Sequence, residues 1–164
     1  MAKNKLKAFK EQHFKIMKCL LINNKPMGHY DVSKDKSGFN NRQRSGEVIP
    51  YFDNLLEFNF IKKELIKKKE KYFINYDNNL IEFYLLMSKF RKDSKRFLIE
   101  MLEKLFSVLR INKEGKLGID KNFNSLEFNQ YMNKKYETIT PSKKDALKLL
   151  KLYNSLSKDK ILFI

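Results

Sequence analysis

Apolar residues recur at helical spacing from the start of the chain. Phe9, Phe14, Ile16, Met17, Leu20 and Leu21, with Lys10, Lys15 and Lys18 between them, predict a first helix over residues 9–22. Asn23-Asn24-Lys25-Pro26 ends it, because proline disfavours helix at the residue before it. Residues 30–36 predict a short second helix with Tyr30 and Val32 as its inward contacts. Residues 37–46, rich in Gly, Asn and Arg, read as a loop. Val48, Phe52, Leu55 and Phe58 fall on one helix face and predict a third helix over residues 48–58. Pro50 is expected in its first turn, where the missing N–H costs little, and Asn59 is expected to stop it in a left-handed conformation. Residues 60–66 and 72–76 then read as two strands joined by a short charged tip at 67–71.

Beyond Asp77 the pattern predicts helices only. Residues 80–90 are apolar around most of the circumference. Residues 95–111 carry Leu98, Met101, Leu102, Leu105, Phe106 and Leu109 on one face. Gly115 and Gly118 mark a loop, and residues 126–136 a weaker helix. Thr140-Pro141-Ser142 followed by Asp145 signals the start of a last helix to about residue 156. The expected fold is therefore mainly α with a small β-hairpin wing. A winged helix-turn-helix domain over residues 1–79 would be followed by an all-helical region over residues 80–164.

Charge changes this picture in one respect. Lys and Arg number 35 against 19 Asp and Glu, a formal net charge of +16, which favours a polyanionic partner. The excess is spread over both halves, net +9 for residues 1–76 and +7 for residues 77–164, so charge alone does not locate a site. Cys19 is the only cysteine, which excludes an intrachain disulfide and a thiolate metal cluster. The basic N-terminus has no apolar run behind it, and the 80–90 stretch is too short to span a bilayer. The expectation is a cytoplasmic protein without a membrane partner.

Specific motifs sharpen the helix-turn-helix reading. The run Arg44-Ser45-Gly46-Glu47-Val48-Ile49-Pro50-Tyr51-Phe52-Asp53-Asn54-Leu55, closing on Asn59-Phe60-Ile61, resembles the PadR-like winged-helix transcriptional regulators. Gly28-His29-Tyr30-Asp31-Val32 is similar to that family's second-helix segment, and the polar stretch 37–46 to its long inter-helix loop. The resemblance covers residues 9–80. It implies a dimeric transcription factor, often a repressor, with its third helix in the major groove and its appended helices building the dimer.

A helix laid in a major groove needs polar side chains at its start and outer face. Arg42, Gln43, Arg44 and Ser45 precede the third helix, and Glu47, Tyr51 and Asn54 lie away from its apolar face. Arg pairs with guanine, Asn and Gln with adenine, and Ser with phosphate. Lys67, Lys68, Lys69 and Lys71 on the hairpin tip are expected on phosphates or in the minor groove. Together these are the expected contacts to double-stranded DNA. A homodimer is expected through Leu80, Phe83, Tyr84, Met87, Leu98, Leu102, Leu105 and Leu109.

The two histidines, His13 and His29, have no cysteine or carboxylate cluster beside them, so no metal is expected. No paired carboxylates, nucleophile motif or phosphate-cradling Gly loop suggests an enzyme or a cofactor. A small-molecule effector has no support in the sequence. Two alternatives remain open: a winged-helix adaptor that binds protein, and a DNA-binding replication or plasmid-maintenance factor.

Overall fold

The computed structural model describes residues 8–39, 43–159 and 161–162. They divide into two compact units, Lys10–Asn78 and the chain from Asn79 onward, with Phe9 packed into the latter.

The Lys10–Asn78 unit runs α1 (Glu11–Asn23), α2 (His29–Lys34), α3 (Ser45–Glu57), β1 (Ile61–Ile66) and β2 (Lys69–Ile74). Ile16, Met17 and Leu20 of α1, Val32 of α2, Val48, Phe52 and Leu55 of α3, and Ile61, Tyr72 and Ile74 of the hairpin are all buried. The His29, Phe52 and Tyr72 rings pack against one another in edge-on and tilted contacts, with centroids 4.6–4.7 Å apart. Two asparagines stop helices in the left-handed conformation. Asn24 (φ 48°) ends α1 with its N–H on the Leu20 carbonyl, and Asn59 (φ 60°) follows α3 as expected.

Three features of this unit were not legible in the sequence. Met27 exchanges both backbone hydrogen bonds with Tyr72, at 2.9 and 2.8 Å, and so forms a single-residue third strand on the free edge of β2. The loop after α2 is pressed onto α1 at Gly38, where a Cβ would stand 2.6 Å from the Lys15 carbonyl oxygen and 2.9 Å from the Cys19 Cβ. Only glycine fits, and the approach buries the next residue, Phe39. Tyr30, expected to point inward, is 52% exposed, with the Lys34 ammonium 4.3 Å above its ring.

Two boundaries also move. β2 begins at Lys69 rather than at residue 72, so the turn shrinks to Lys67-Lys68. Both faces of the ribbon lie in solvent there, and charged side chains do not oppose pairing. α3 begins at Ser45, which puts Pro50 in its second turn rather than its first. Its missing N–H leaves the carbonyl of exposed Gly46 to water.

The second unit contains α4 (Asn79–Ser88), α5 (Ser94–Val108), β3 (Leu109–Ile111), β4 (Leu117–Ile119), α6 (Ser125–Lys135) and α7 (Lys143–Lys158). It is not all-helical. The chain leaves α5 at Leu109 (φ −66°, ψ 134°), and Leu109, Arg110 and Ile111 pair antiparallel with Ile119, Gly118 and Leu117. Gly118, expected in a loop, is a strand residue. Ala8 bridges Arg110, and Phe9 lies edge-on to Phe106 at 5.4 Å, so Phe9 belongs to this core and not to the first helix. Ser142 caps α7 as expected, accepting from the Asp145 N–H at 3.2 Å.

α4 is apolar all round because it packs against both α5 and α7 of its own chain. Leu80, Phe83, Tyr84, Leu98, Leu102, Leu105 and Leu109, expected at a dimer interface, are buried within the single chain, and Met87 is half-buried. In the single chain the buried ones serve as core. Exposed apolar side chains of this unit lie on α6, at Leu126 and Tyr131, and on α7, where Leu147 is 59% and Leu150 56% exposed and Tyr153 is exposed on the same helix.

Candidate nucleic-acid interface

α3 turns three sides to its surroundings. Val48, Phe52 and Leu55 face the core. Tyr51 and Asn54 face α1, where His13 is completely buried. The His13 ring lies edge-on to Tyr51 at 5.0 Å. Its Nδ1 accepts from the Lys10 backbone N–H at 2.9 Å, so Nε2 carries the proton and donates to Asn54 Oδ1 at 3.3 Å. Burial holds the His13 pKa below its ordinary 6.5 and keeps the ring neutral. Tyr51 and Asn54, expected to read bases, therefore belong to the α1–α3 contact.

The third side is exposed and consists of Gly46, Glu47, Ile49, Pro50, Asp53 and Glu57. Of the residues expected to read bases, only Glu47 stands on it. It carries three carboxylates and no basic side chain. Positive charge stands at the start of α3, where exposed Arg44 occupies the N-cap position. Gln43 precedes it, its backbone N–H held by the Ser33 carbonyl at 2.9 Å, which ties this approach to α2. Ser45 is the first residue of the helix, and Arg42 lies outside the described residues.

The hairpin supplies the second cluster of positive charge. Lys67 (φ 53°) and Lys68 (φ 65°) form a two-residue turn with both residues left-handed. That geometry favours Asn-Gly, and a lysine in it costs on the order of 1 kcal/mol per residue. Lys67, Lys68 and Lys69 are exposed, and among the described residues none of them meets a carboxylate at ion-pair distance. Lys71 does not join them. Its ammonium turns back to Asp31 of α2 at 3.5 Å.

That turn creates a feature the sequence reading missed. Lys25, Lys34, Lys36 and Lys71 line a cleft of about 570 Å³ together with Asp31 and Asp35. Asp31 is engaged by Lys71, while Asp35 is held below its ordinary carboxylate value by hydrogen bonds, first from the Ser37 hydroxyl. Lys34 and Lys36 have no ion-pair partner among the described residues. Three separate segments contribute these lysines, and the Met27–Tyr72 pairing brings them together. No sequence spacing announces it. The His29 ring packs against Phe52 and Tyr72, and burial lowers its pKa from 6.5.

Among the described residues no group of three His, Cys, Asp or Glu side chains is placed to hold a metal ion, and no helix is long and apolar enough to cross a membrane. The arrangement offers hydrogen-bond donors and fixed positive charge at three places on one small unit: the start of α3, the hairpin tip and the α2 cleft. No protein-family model, no curated protein and no solved structure matches the chain.

Proposed function

We propose that this protein is a double-stranded DNA-binding regulator of transcription, with Lys10–Asn78 as a winged helix-turn-helix of the PadR-like kind. The observation that carries the reading is the hairpin tip. Lys67, Lys68 and Lys69 are exposed around the turn, none with a carboxylate at ion-pair distance among the described residues, and the turn holds two of them in a disfavoured backbone conformation. Gln43 and Arg44 at the start of α3 supply the second contact, and the lysines of the α2 cleft a third. Because the outer side of α3 is acidic, base reading falls to its first turn, with Glu47 able to accept from a cytosine amino group. The wing and cleft provide the phosphate contacts.

Fluorescence anisotropy with random and genomic duplexes at about 50 and 200 mM salt tests this. Binding that weakens steeply with salt supports the reading. Arg44→Ala should weaken the tightest genomic site more than random duplex if Arg44 reads a base.

A second reading, a winged-helix adaptor for a protein partner, is favoured by one observation: Glu47, Ile49, Asp53 and Glu57 form an acidic, partly apolar strip along the exposed side of α3. Salt-insensitive or absent duplex binding would select it.

A homodimer remains part of the proposal, relocated to the exposed α7 stripe of Leu147, Leu150 and Tyr153. Two copies would supply two half-sites for palindromic DNA. Leu150→Glu should then yield a folded monomer in sedimentation. A wild-type monomer at micromolar concentration would remove the dimer and leave single-site binding.

A further inference from the structure

The hairpin carries one side chain that neither core packing nor phosphate contact explains. Leu65 is 73% exposed, more than the other large apolar side chains exposed among the described residues. It lies one residue before the end of β1, directly opposite Glu70. Alternation along the ribbon puts Ile61, Lys63 and Leu65 on one face with Ile74, Tyr72 and Glu70. This is the face that packs on α2 and α3 through Tyr72, whose ring meets His29 and Phe52. Leu65 is therefore the outward continuation of the helix-facing side, carried past the helices to the tip.

The turn beyond it is polycationic. Lys67, Lys68 and Lys69 follow it around the turn. The carboxylate opposite is withdrawn: Glu70 is engaged by the Lys63 ammonium at 3.5 Å and accepts from the Tyr72 hydroxyl at 3.4 Å, both on the core side of Leu65. An apolar side chain standing clear of its own fold beside a turn of lysines, with the carboxylate opposite it engaged and exposed Glu64 on the other face of the ribbon, has the composition of a minor-groove wedge. Such side chains insert at a base step while flanking cations hold the phosphates, and the step kinks most readily at a flexible pyrimidine–purine junction.

We infer that Leu65 is an intercalating wedge, inserted from the wing into the minor groove at a TpA-type step, with Lys67, Lys68 and Lys69 on the flanking phosphates. The inference rests on the DNA-binding reading above but adds a bend in the duplex and a sequence preference that phosphate contact alone does not produce. In this division of labour the wing reads deformability and the start of α3 reads base edges.

The test uses the full chain and end-labelled duplexes of about 30 base pairs, one with central TpA steps carrying 2-aminopurine, the other without pyrimidine–purine steps at its centre. Wild type should raise both end-to-end energy transfer and 2-aminopurine fluorescence on the TpA duplex. Leu65→Ala, at an exposed position that leaves the core intact, should abolish both signals. It should also lower TpA-duplex affinity about tenfold while leaving the other duplex and the salt slope nearly unchanged. Duplex binding by wild type without a 2-aminopurine rise, or an undiminished rise with Leu65→Ala, overturns the wedge and leaves the DNA-binding reading standing. Failure of wild type to bind either duplex overturns both. Self-association that Leu65→Ala removes would make Leu65 a protein contact and also overturn the wedge.

Discussion

The β3–β4 hairpin turns through Asn112-Lys113-Glu114-Gly115. Gly115 takes the left-handed position at φ 80°, and the Asn112 side chain accepts from the backbone N–H groups of Glu114 and Lys116 at 3.0 and 2.9 Å. The β1–β2 hairpin turns through Lys67-Lys68, with both residues left-handed and neither able to offer the local acceptor that Asn112 provides. One chain thus contains a turn whose residues suit its backbone and another whose residues oppose it. A disagreement between local preference and observed conformation is the kind of strain that marks a candidate functional position. At Lys67-Lys68 what the residues supply is projecting charge. Both loops contain lysine, Lys113 and Lys116 in one and Lys67 and Lys68 in the other, so composition does not separate them. Backbone conformation does.

The largest expected effect follows from the charge. Replacing Lys67, Lys68 and Lys69 together by alanine should lower duplex affinity by about 100-fold near physiological salt and flatten the salt slope by up to about three ions. Replacing Lys113 and Lys116 in the other hairpin should change neither. Anisotropy titrations of the two variants over a salt series give the comparison directly. Equal losses from both would reduce the effect to net charge.

The next effect concerns the well-suited turn. Gly115→Ala places a Cβ at φ 80° and should destabilise the protein by about 1–2 kcal/mol in denaturant unfolding, with duplex binding intact at low temperature. No loss of stability would show that the turn relaxes to another geometry.

Much of this fold was legible because helices write themselves in apolar spacing and caps. α1, α3 and α7 were anticipated from Phe14–Met17–Leu21, Val48–Phe52–Leu55 and Ser142–Asp145. The β3–β4 hairpin was not, because Leu109 continues the helical spacing of Leu102, Leu105 and Phe106. Periodicity cannot distinguish one more helical turn from a three-residue strand. Its available signal was Asn112 followed three residues later by Gly115, with Leu117 and Ile119 alternating beyond. The candidate interface was legible at the hairpin tip and at Arg44, where charge sits beside a turn or a helix start. It was not legible at Tyr51 and Asn54. Helical arithmetic places them off the apolar face, but only the packing of α1 decides whether that side is solvent or His13. The Lys25, Lys34, Lys36 and Lys71 cleft depends on one backbone bridge at Met27 and leaves no trace in spacing.

A smaller effect separates the units by pH. His13 and His29 both lie in Lys10–Asn78, and burial lowers both pKa values from 6.5. The unfolded chain therefore binds protons that the native state refuses. The contribution is fully present above about pH 6.5 and is lost as pH falls from there through the lowered native values. Hydrogen exchange at pH 7.5 and 5.5 should show reduced protection at the lower pH in α1, α3 and the β1–β2 hairpin, with β3–β4 amides changed less. His13→Gln should weaken this dependence. Equal loss in both hairpins would place the pH sensitivity elsewhere.

The central claim is that the β1–β2 tip holds lysines against its own backbone preference because it meets a polyanion. Lys67→Asn with Lys68→Gly supplies the residues that the left-handed turn favours and removes two charges in one variant. Its unfolding free energy and its duplex affinity are measured side by side. The account predicts a gain in stability of about 1 kcal/mol or more together with a fall in affinity of about tenfold or more. A variant that binds duplex as tightly as wild type, or that loses stability, would contradict it.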